Sequence, residues 1–113
     1  MIELPFPDKA LWPNGRPHHM AKHRAFQKHK SWAHIAMLSL LPACFKHNGE
    51  PVQLAYTVRP KTRHAIDRDN CVAAMKAYQD GIAAALGVDD SAFLTPTIEF
   101  GEPIKGGLIE VRL

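Results

Sequence analysis

Residues 70–87, with the sequence NCVAAMKAYQDGIAAALG, predict an amphipathic helix around which the rest of the chain can be arranged. Apolar side chains recur there every three or four positions, which places them on one face of an α-helix. Gly87 follows the last of them, at the position where a left-handed residue commonly ends a helix. The predicted helix therefore runs from about residue 70 to residue 86 and carries an apolar face of Val72, Met75, Tyr78, Ile82 and Leu86.

The flanking segments predict strands and one further helix. Residues 52–58 alternate in the manner of a half-buried strand, with an inner face of Val52, Leu54, Tyr56 and Val58. A helix is expected over residues 19–41, with an apolar stripe of Phe26, Ala33, Met37 and Leu40. Short strands are expected at residues 2–6, 93–100 and 108–113. The last two strands are expected to form an antiparallel hairpin, because their connection is too short for a crossover.

These elements predict an α/β fold of the α+β type. We expect a single domain over residues 1–113, with a mixed sheet of about four strands and two main helices on one side, in the order β-α-β-α-β-β. A chain of 113 residues suits one small hydrophobic core. Its composition, 46% hydrophobic and 22% charged, is that of a globular protein and excludes a disordered chain.

The cysteines and the N-terminal residues indicate the cellular compartment in which the protein is expected. Cys44 and Cys71 are too few and too scattered for a disulfide framework, which favours a reducing cytoplasm. The start of the chain lacks the basic and apolar regions of a signal peptide. The longest apolar stretch, IAMLSLLPACF, is too short to span a bilayer, so no membrane association is expected.

Charge is distributed unevenly along the chain. Residues 1–65 carry ten Lys and Arg against three acids, a net of +7, and all seven histidines. Residues 66–113 carry four Lys and Arg against eight acids, a net of −4. The basic part fits a surface that binds a polyanion, whereas the acidic part would repel one. A metal ion bound to the acids would remove this contradiction.

Two pairs of aspartates flank the predicted helix and are candidates for a metal site. If the chain before the helix is extended, Asp67 and Asp69 point to the same side, and carboxylate oxygens suit Mg²⁺ or Mn²⁺. In the alternative interpretation, Asp69 or Asn70 caps the helix and Asp89–Asp90 is a solvated turn. A helix of about 17 residues is about 25 Å long. Asp90 can therefore approach Asp67 only if the segment after Gly87 folds back.

The motifs D-R-D-N and L-G-V-D-D-S, with Lys76 and Asp80-Gly81 between them, resemble the RusA family of crossover junction endodeoxyribonucleases. The openings L-P-F-P and W-P-N-G-R are similar to the start of that family, so the resemblance covers most of the chain. Members are small phage- and prophage-associated hydrolases that resolve Holliday junctions in DNA recombination and repair. An EF-hand is excluded, because Val72 and Tyr78 stand where its loop requires Gly and a carboxylate.

The resemblance implies a catalytic set of Asp67, Asp69, Asp90 and Lys76, in which the three aspartates bind Mg²⁺, with Mn²⁺ as a substitute. The lysine of the family's best-known form lies nearer to D-x-D-N, where this chain has Ala73. Three or four extra residues make about one helical turn, so both positions can share a helix face. An ion pair between Lys76 and Asp80 is the structural alternative for that lysine.

The basic part of the chain would then bind the phosphates of branched DNA, which requires no contact with base edges. The expected DNA-binding residues are Arg16, Lys22, Arg24, Lys28, Lys30, Arg59, Lys61 and Arg63. Phe6 and Trp12 could stack on bases, although core packing is the simpler role for them. A zinc site at His18, His19 and His23 is disfavoured by the neighbouring cations Lys22 and Arg24.

The resemblance also implies a homodimer, because two matched cuts across a four-way junction require two sites related by a two-fold axis. Two other functions stay open at the level of sequence. The chain could be a DNA-binding protein of the same fold without catalysis, or a metal-dependent nuclease that acts on flaps or RNA. Retention of the three aspartates favours a nuclease over a pure binder.

Overall fold

The computed structural model describes residues 1–13, 19–42, 45–63 and 66–113. Arg16, predicted to bind DNA, and His18 and Cys44 lie outside these ranges. The described residues form a mixed four-stranded sheet with helices, which confirms the predicted α+β class. The elements are β1 (Ile2–Leu4), α1 (His19–Leu38), β2 (Ala55–Arg59), α2 (Arg68–Ala74), α3 (Lys76–Leu86), β3 (Thr97–Phe100) and β4 (Leu108–Arg112), with 3-10 turns at Lys9–Leu11 and Asp90–Ala92.

The strand order is β1-β4-β2-β3, so the predicted hairpin of the last two strands is wrong. β3 runs parallel to β2, with Tyr56 opposite Ile98, and β4 runs antiparallel to β2 on its other edge. A short loop excludes a crossover, but it can pass over one strand, because neighbouring strands are only about 5 Å apart. Residues 101–107 do so, and Gly106 and Gly107 turn the chain at φ 79° and 72°. In this order β2, the most buried strand, is hydrogen-bonded to a neighbouring strand on each side.

One face of the sheet packs against α1 and α3 and forms the core. Val52, Leu54, Tyr56 and Val58 are all buried, which confirms the predicted inner face of residues 52–58. Ile98 from β3 and Ile109 and Val111 from β4 continue this face, and Met37, Tyr78 and Ile82 cover it from the helices. The alternate side chains, such as Glu3 and Glu99, lie on the opposite face of the sheet and are exposed.

The first helix differs from its prediction in one apolar residue and one polar residue. α1 ends at Leu38, so Leu40 lies beyond it and is 55% exposed instead of buried. His29 takes a buried position that the apolar pattern did not indicate. Hydrophobicity alone could not place this histidine in the core, because its burial depends on the hydrogen bonds that it makes there.

The predicted helix of residues 70–86 is two helices that meet at Met75. α2 begins two residues earlier than expected, and Met75 adopts φ −85° and ψ −1° between α2 and α3. The i to i+4 hydrogen-bond pattern of a helix continues across this position, since the Met75 N–H donates to the carbonyl of Cys71 and the Met75 carbonyl accepts from the N–H of Gln79. Gly87 ends α3 in the left-handed conformation at φ 73°, as predicted.

A chain of buried and partly buried hydrogen bonds joins α1, α3 and the segment after β1. The hydroxyl of Tyr78 donates to the carbonyl of Pro5 and lies 2.7 Å from Nδ1 of His29, while the N–H of Asp8 donates to Nε2 of His29 at 3.2 Å. These partners assign the proton of the imidazole to Nδ1, because Nε2 must accept. Burial lowers the pKa of His29 and therefore keeps this ring neutral.

The two core tyrosines provide a matched pair of substitutions. The Tyr56 hydroxyl is buried and has no hydrogen-bond partner within the ranges that the structure describes, whereas Tyr78 bonds two groups. We expect Tyr78→Phe to lower the free energy of unfolding by about 2 kcal/mol, since it leaves buried groups unpaired. Tyr56→Phe is expected to leave it unchanged or raise it by up to about 1 kcal/mol. Urea unfolding of both variants checks this, and an equal loss in both would contradict the assignment.

Candidate functional site

Asp67 caps the N-terminus of α2. Its backbone is extended, and its Oδ1 accepts hydrogen bonds from the N–H groups of Asp69 at 2.7 Å and Asn70 at 3.3 Å. The cap is therefore two or three residues earlier than the alternative interpretation, with Asp69 or Asn70 as the cap, had it. The hydrogen bonds occupy one carboxylate oxygen, and the side chain remains exposed to solvent.

Asp69 lies in the first turn of α2, so the condition that both aspartates lie in an extended segment is not met. The helix begins at Arg68, because Asp67 satisfies the N–H groups that a helix start leaves unpaired. Both carboxylates nevertheless remain at the same end of α2 and are exposed. Negative charge is favourable there, since the helix dipole is positive at its N-terminus.

Arg68, between the two aspartates, does not neutralise them. Its guanidinium donates to the carbonyl of Ile98 in β3 and lies 5.3 Å from the centre of the Phe100 ring. No ion pair to Asp67 or Asp69 is formed by any residue in the described part of the chain. The sequence did not mark Arg68 as important, yet this side chain anchors α2 to the edge of the sheet. It leaves two exposed carboxylates that can bind a cation.

Lys76 joins the start of α3 to the segment that follows this helix. Its ammonium lies 2.8 Å from Oδ1 of Asp80 and 2.8 Å from Oδ2 of Asp90. Burial lowers the pKa of Lys76, but the hydrogen bonds to Asp80 and Asp90 outweigh it and raise the pKa overall. The hydrogen bond from Lys76, followed by that from Asp89, lowers the pKa of Asp90. Lys76 is therefore cationic and Asp90 anionic at neutral pH.

This contact shows that the chain folds back after Gly87. Asp90 begins a 3-10 turn, and the backbone around it is fixed by hydrogen bonds of Val52 with Ala92 at 2.9 Å and with Leu94 at 2.8 Å. The segment returns along α3 as far as the side chain of Lys76. The segment thus folds back as the sequence required for Asp90. The predicted ion pair of Lys76 with Asp80 is confirmed, and the pair with Asp90 is an addition that the sequence did not indicate.

The four predicted catalytic residues form two groups. Asp67 and Asp69 lie at the start of α2, and Asp90 is bound to Lys76. Among residues 1–13, 19–42, 45–63 and 66–113, no three or more His, Cys, Asp or Glu side chains are close enough to hold a metal ion. The individual donors suit Mg²⁺, because all three carboxylates are exposed and Asp90 is held in its ionised form.

A small cavity extends from Lys76 towards the start of α1. It has a volume of about 250 Å³, and Lys22, one of the predicted DNA-binding residues, lines it together with Lys76. Ala73 lines the same cavity, so the position of the family's lysine and the position of Lys76 share one surface. Two lysines therefore line this cavity among small and apolar side chains, although the Lys76 ammonium is itself paired with Asp80 and Asp90.

The other described members of the predicted DNA-binding set lie outside this cavity. Three of them pair with acids: Lys28 with Asp8 at 3.5 Å, Arg59 with Glu110 at 2.9 Å and Arg63 with Glu102 at 2.9 Å. Lys61 lies 6.0 Å from the centre of the Phe6 ring, Arg24 is exposed on α1, and Lys30 is half-buried there. Of the described members of this set, Lys22 is the one that lines the cavity beside Lys76.

Comparison with known proteins finds similarity to an uncharacterized protein. No protein-family profile matches the chain. An uncharacterized protein of Xylella fastidiosa (strain Temecula1 / ATCC 700964) is 36% identical over 103 residues, an alignment that covers 87% of this chain and 65% of that protein. The chain thus spans about two thirds of the relative's length, just below that fraction. None of the helices within the described ranges has the length and the hydrophobicity of a transmembrane span.

Proposed function

We propose that this chain is a Mg²⁺-dependent endodeoxyribonuclease of the RusA type that cuts four-way junctions and related branched DNA in the cytoplasm. The observation that carries the proposal is the 2.8 Å contact between Lys76 and Asp90. This contact ties the L-G-V-D-D-S segment to the helix that follows D-R-D-N, and these are the motifs on which the RusA resemblance rests. An isolated ion pair with Asp80 would not require the chain to return in this way.

In the proposed site, Asp67, Asp69 and Asp90 would hold the ion. A bound Mg²⁺ would offset charge on the scissile phosphate and lower the pKa of a coordinated water. Asp90 is exposed and has a second carboxylate oxygen besides the one that Lys76 contacts, so its side chain can turn towards a cation. Uniting the three carboxylates requires the turn at Asp90–Ala92 and the start of α2 to approach each other. Like-charge repulsion opposes this approach until a cation is present.

Lys76 would act on the DNA and not on the ion. As a compact ammonium, it can orient the scissile phosphate or stabilise charge on the leaving oxygen. Asp80 would hold the lysine side chain in place when Asp90 turns away from it. Lys22, across the same cavity, would bind a neighbouring phosphate of the strand. We further propose a homodimer, since two matched cuts require two sites related by a two-fold axis.

A second candidate function is DNA binding without catalysis. It is favoured by the cap formed by Asp67 and by the two ion pairs of Lys76, which give three of the four residues a structural role. In this case the carboxylates would stabilise α2 and the turn after α3, and the basic residues alone would account for the binding of DNA.

Cleavage of a synthetic four-way junction distinguishes the two functions. The junction is end-labelled and incubated with the protein in Mg²⁺, in Mn²⁺ and in EDTA, with a linear duplex, a flap and an RNA hairpin as alternative substrates. We expect paired nicks in the junction with either metal and none in EDTA. Tight binding of the junction without cleavage in both metals would overturn the proposed nuclease and support the binding protein.

A further inference from the structure

A second cavity lies between the segment after β1 and the middle of α1. Its volume is about 360 Å³, within the range of cavities that accept small ligands. Trp32 lies on its wall and is 38% exposed, so part of the indole is open to solvent. Phe6 and three lysines, Lys9, Lys28 and Lys61, also line it. The proposed catalytic residues do not take part in this cavity.

The charge of this cavity favours an anion. Its three ammonium groups face a single carboxylate, that of Asp8, which lies 3.5 Å from Lys28. One pair cannot neutralise the other two lysines, so the lining keeps a net positive charge. Lys9 and Lys61 are exposed and have no ion-pair partner in the part of the chain that the structure describes.

Contacts with neighbouring side chains fix the positions of the two aromatic residues of the cavity, Trp32 and Phe6. The Trp32 ring contacts His29 edge-on at 4.9 Å, and His29 is fixed by Tyr78 and the backbone of Asp8. Phe6 stacks on Trp12 at 5.5 Å. The Lys28 ammonium lies 5.3 Å from the centre of the Trp32 ring, so a cation and an exposed indole already adjoin each other. A ligand with a planar ring and a nearby negative charge would contact both.

We propose that this cavity binds an unpaired nucleotide of a DNA strand. The base would stack on Trp32, and the adjoining phosphates would lie against Lys9, Lys28 and Lys61. Base–aromatic stacking beside a basic groove is the common mode of single-strand binding. A paired base within a duplex is covered by its neighbours and offers no free face to the indole. A phosphorylated peptide would use the lysines but would leave the exposed indole without a role.

This inference extends the proposed function without depending on catalysis. A branched junction interrupts base stacking at its centre, and a nucleotide released there could enter the cavity. Binding is measured without metal and without cleavage, so the two proposals fail separately. If the cavity does not bind a strand but the junction is still cut, the proposed nuclease stands and the proposed cavity ligand does not. If the cavity binds a strand but no junction is cut, the cavity ligand stands and the nuclease does not.

Fluorescence anisotropy of a labelled oligothymidylate in EDTA at low salt tests the assignment. We expect Trp32→Ala to weaken binding about tenfold, a loss within the range that stacking of one base on an aromatic side chain contributes. Lys28→Gln is expected to weaken it several-fold and to reduce its salt dependence. The control is Lys105→Gln, the same charge change on an exposed lysine outside the cavity, with a smaller expected effect. Circular dichroism confirms that each variant is folded.

Three results would overturn the inference. The first is equal affinity of the wild type and both cavity variants for the oligonucleotide. The second is an equal loss of affinity in Lys28→Gln and Lys105→Gln with none in Trp32→Ala, which would indicate non-specific attraction of charge. The third is displacement of the strand by thymidine monophosphate at equal nucleotide concentration, which would identify a free nucleotide as the ligand.

Discussion

Asp90→Asn is expected to lower Mg²⁺-dependent cleavage of a four-way junction at least about 100-fold, a loss typical of a group that stabilises charge in a transition state. The asparagine oxygen can still accept a hydrogen bond from Lys76, so the turn at Asp90–Ala92 should keep its position. What is lost is the negative charge that the cation requires. Junction binding, measured in EDTA, should change much less than cleavage, because Asp90 does not contact DNA in this proposal.

Glu99→Gln is the matched control for this substitution. Glu99 is exposed on β3 and lies on the face of the sheet opposite the helices, and the variant removes the same charge. We expect its cleavage rate to stay within about twofold of the wild type, because surface substitutions away from such a site have small effects. Equal rates for Asp90→Asn and the wild type would remove Asp90 from the mechanism. A parallel loss in Glu99→Gln would point to overall charge instead.

Gly81→Ala is expected to lower the free energy of unfolding by about 2 kcal/mol or more. A Cβ at Gly81 would overlap the carbonyl oxygen of Lys30 and would lie 3.0 Å from Cβ of Ala33 and from N of His34. The helices α1 and α3 must therefore move apart, and overpacking of this kind costs about 1–3 kcal/mol or more. Alanine favours a helix over glycine by about 1 kcal/mol, which is too little to compensate for a clash with backbone atoms.

Ala84→Leu is the control for added volume on the same helix. Ala84 is exposed, so a larger side chain there meets solvent, and we expect a change within about 0.5 kcal/mol. Urea unfolding followed by circular dichroism measures both variants. If Gly81→Ala is as stable as the wild type, α1 and α3 do not approach each other at this position as closely as the structure describes.

The sequence predicted those parts of the fold that depend on local patterns. The alternation of residues 52–58 located the inner face of the central strand, and the position of Gly87 located the end of α3. The strand order could not be predicted, because the insertion of β4 between β1 and β2 is decided by pairing between distant segments. The short loop between β3 and β4 determines that the two strands run in opposite directions, but it does not determine that they pair with each other. β2 lies between them.

The candidate site was predictable in its residues but not in its contacts. The two aspartates of D-R-D-N could be singled out from the sequence, yet which of them caps α2 depends on where the helix begins. Lys76 had Asp80 as an obvious partner one turn later, and Asp90 joined it through the fold of residues 87–93. Trp32 and Arg68 were missed. Trp32 belongs to no motif and is singled out only by its exposure, whereas Arg68 stands inside D-R-D-N but takes its role from a contact with β3.

The most direct measurement is anomalous scattering from a crystal soaked in Mn²⁺, with isothermal titration of Mn²⁺ to the wild type and Asp90→Asn in solution. The proposal predicts an anomalous peak bound by Asp90 together with Asp67 or Asp69, and at least about tenfold weaker binding of Mn²⁺ to the variant. A crystal in which Mn²⁺ binds Asp67 and Asp69 while Asp90 remains on Lys76, with equal affinities in solution, would contradict a site built from both ends of the α2–α3 segment.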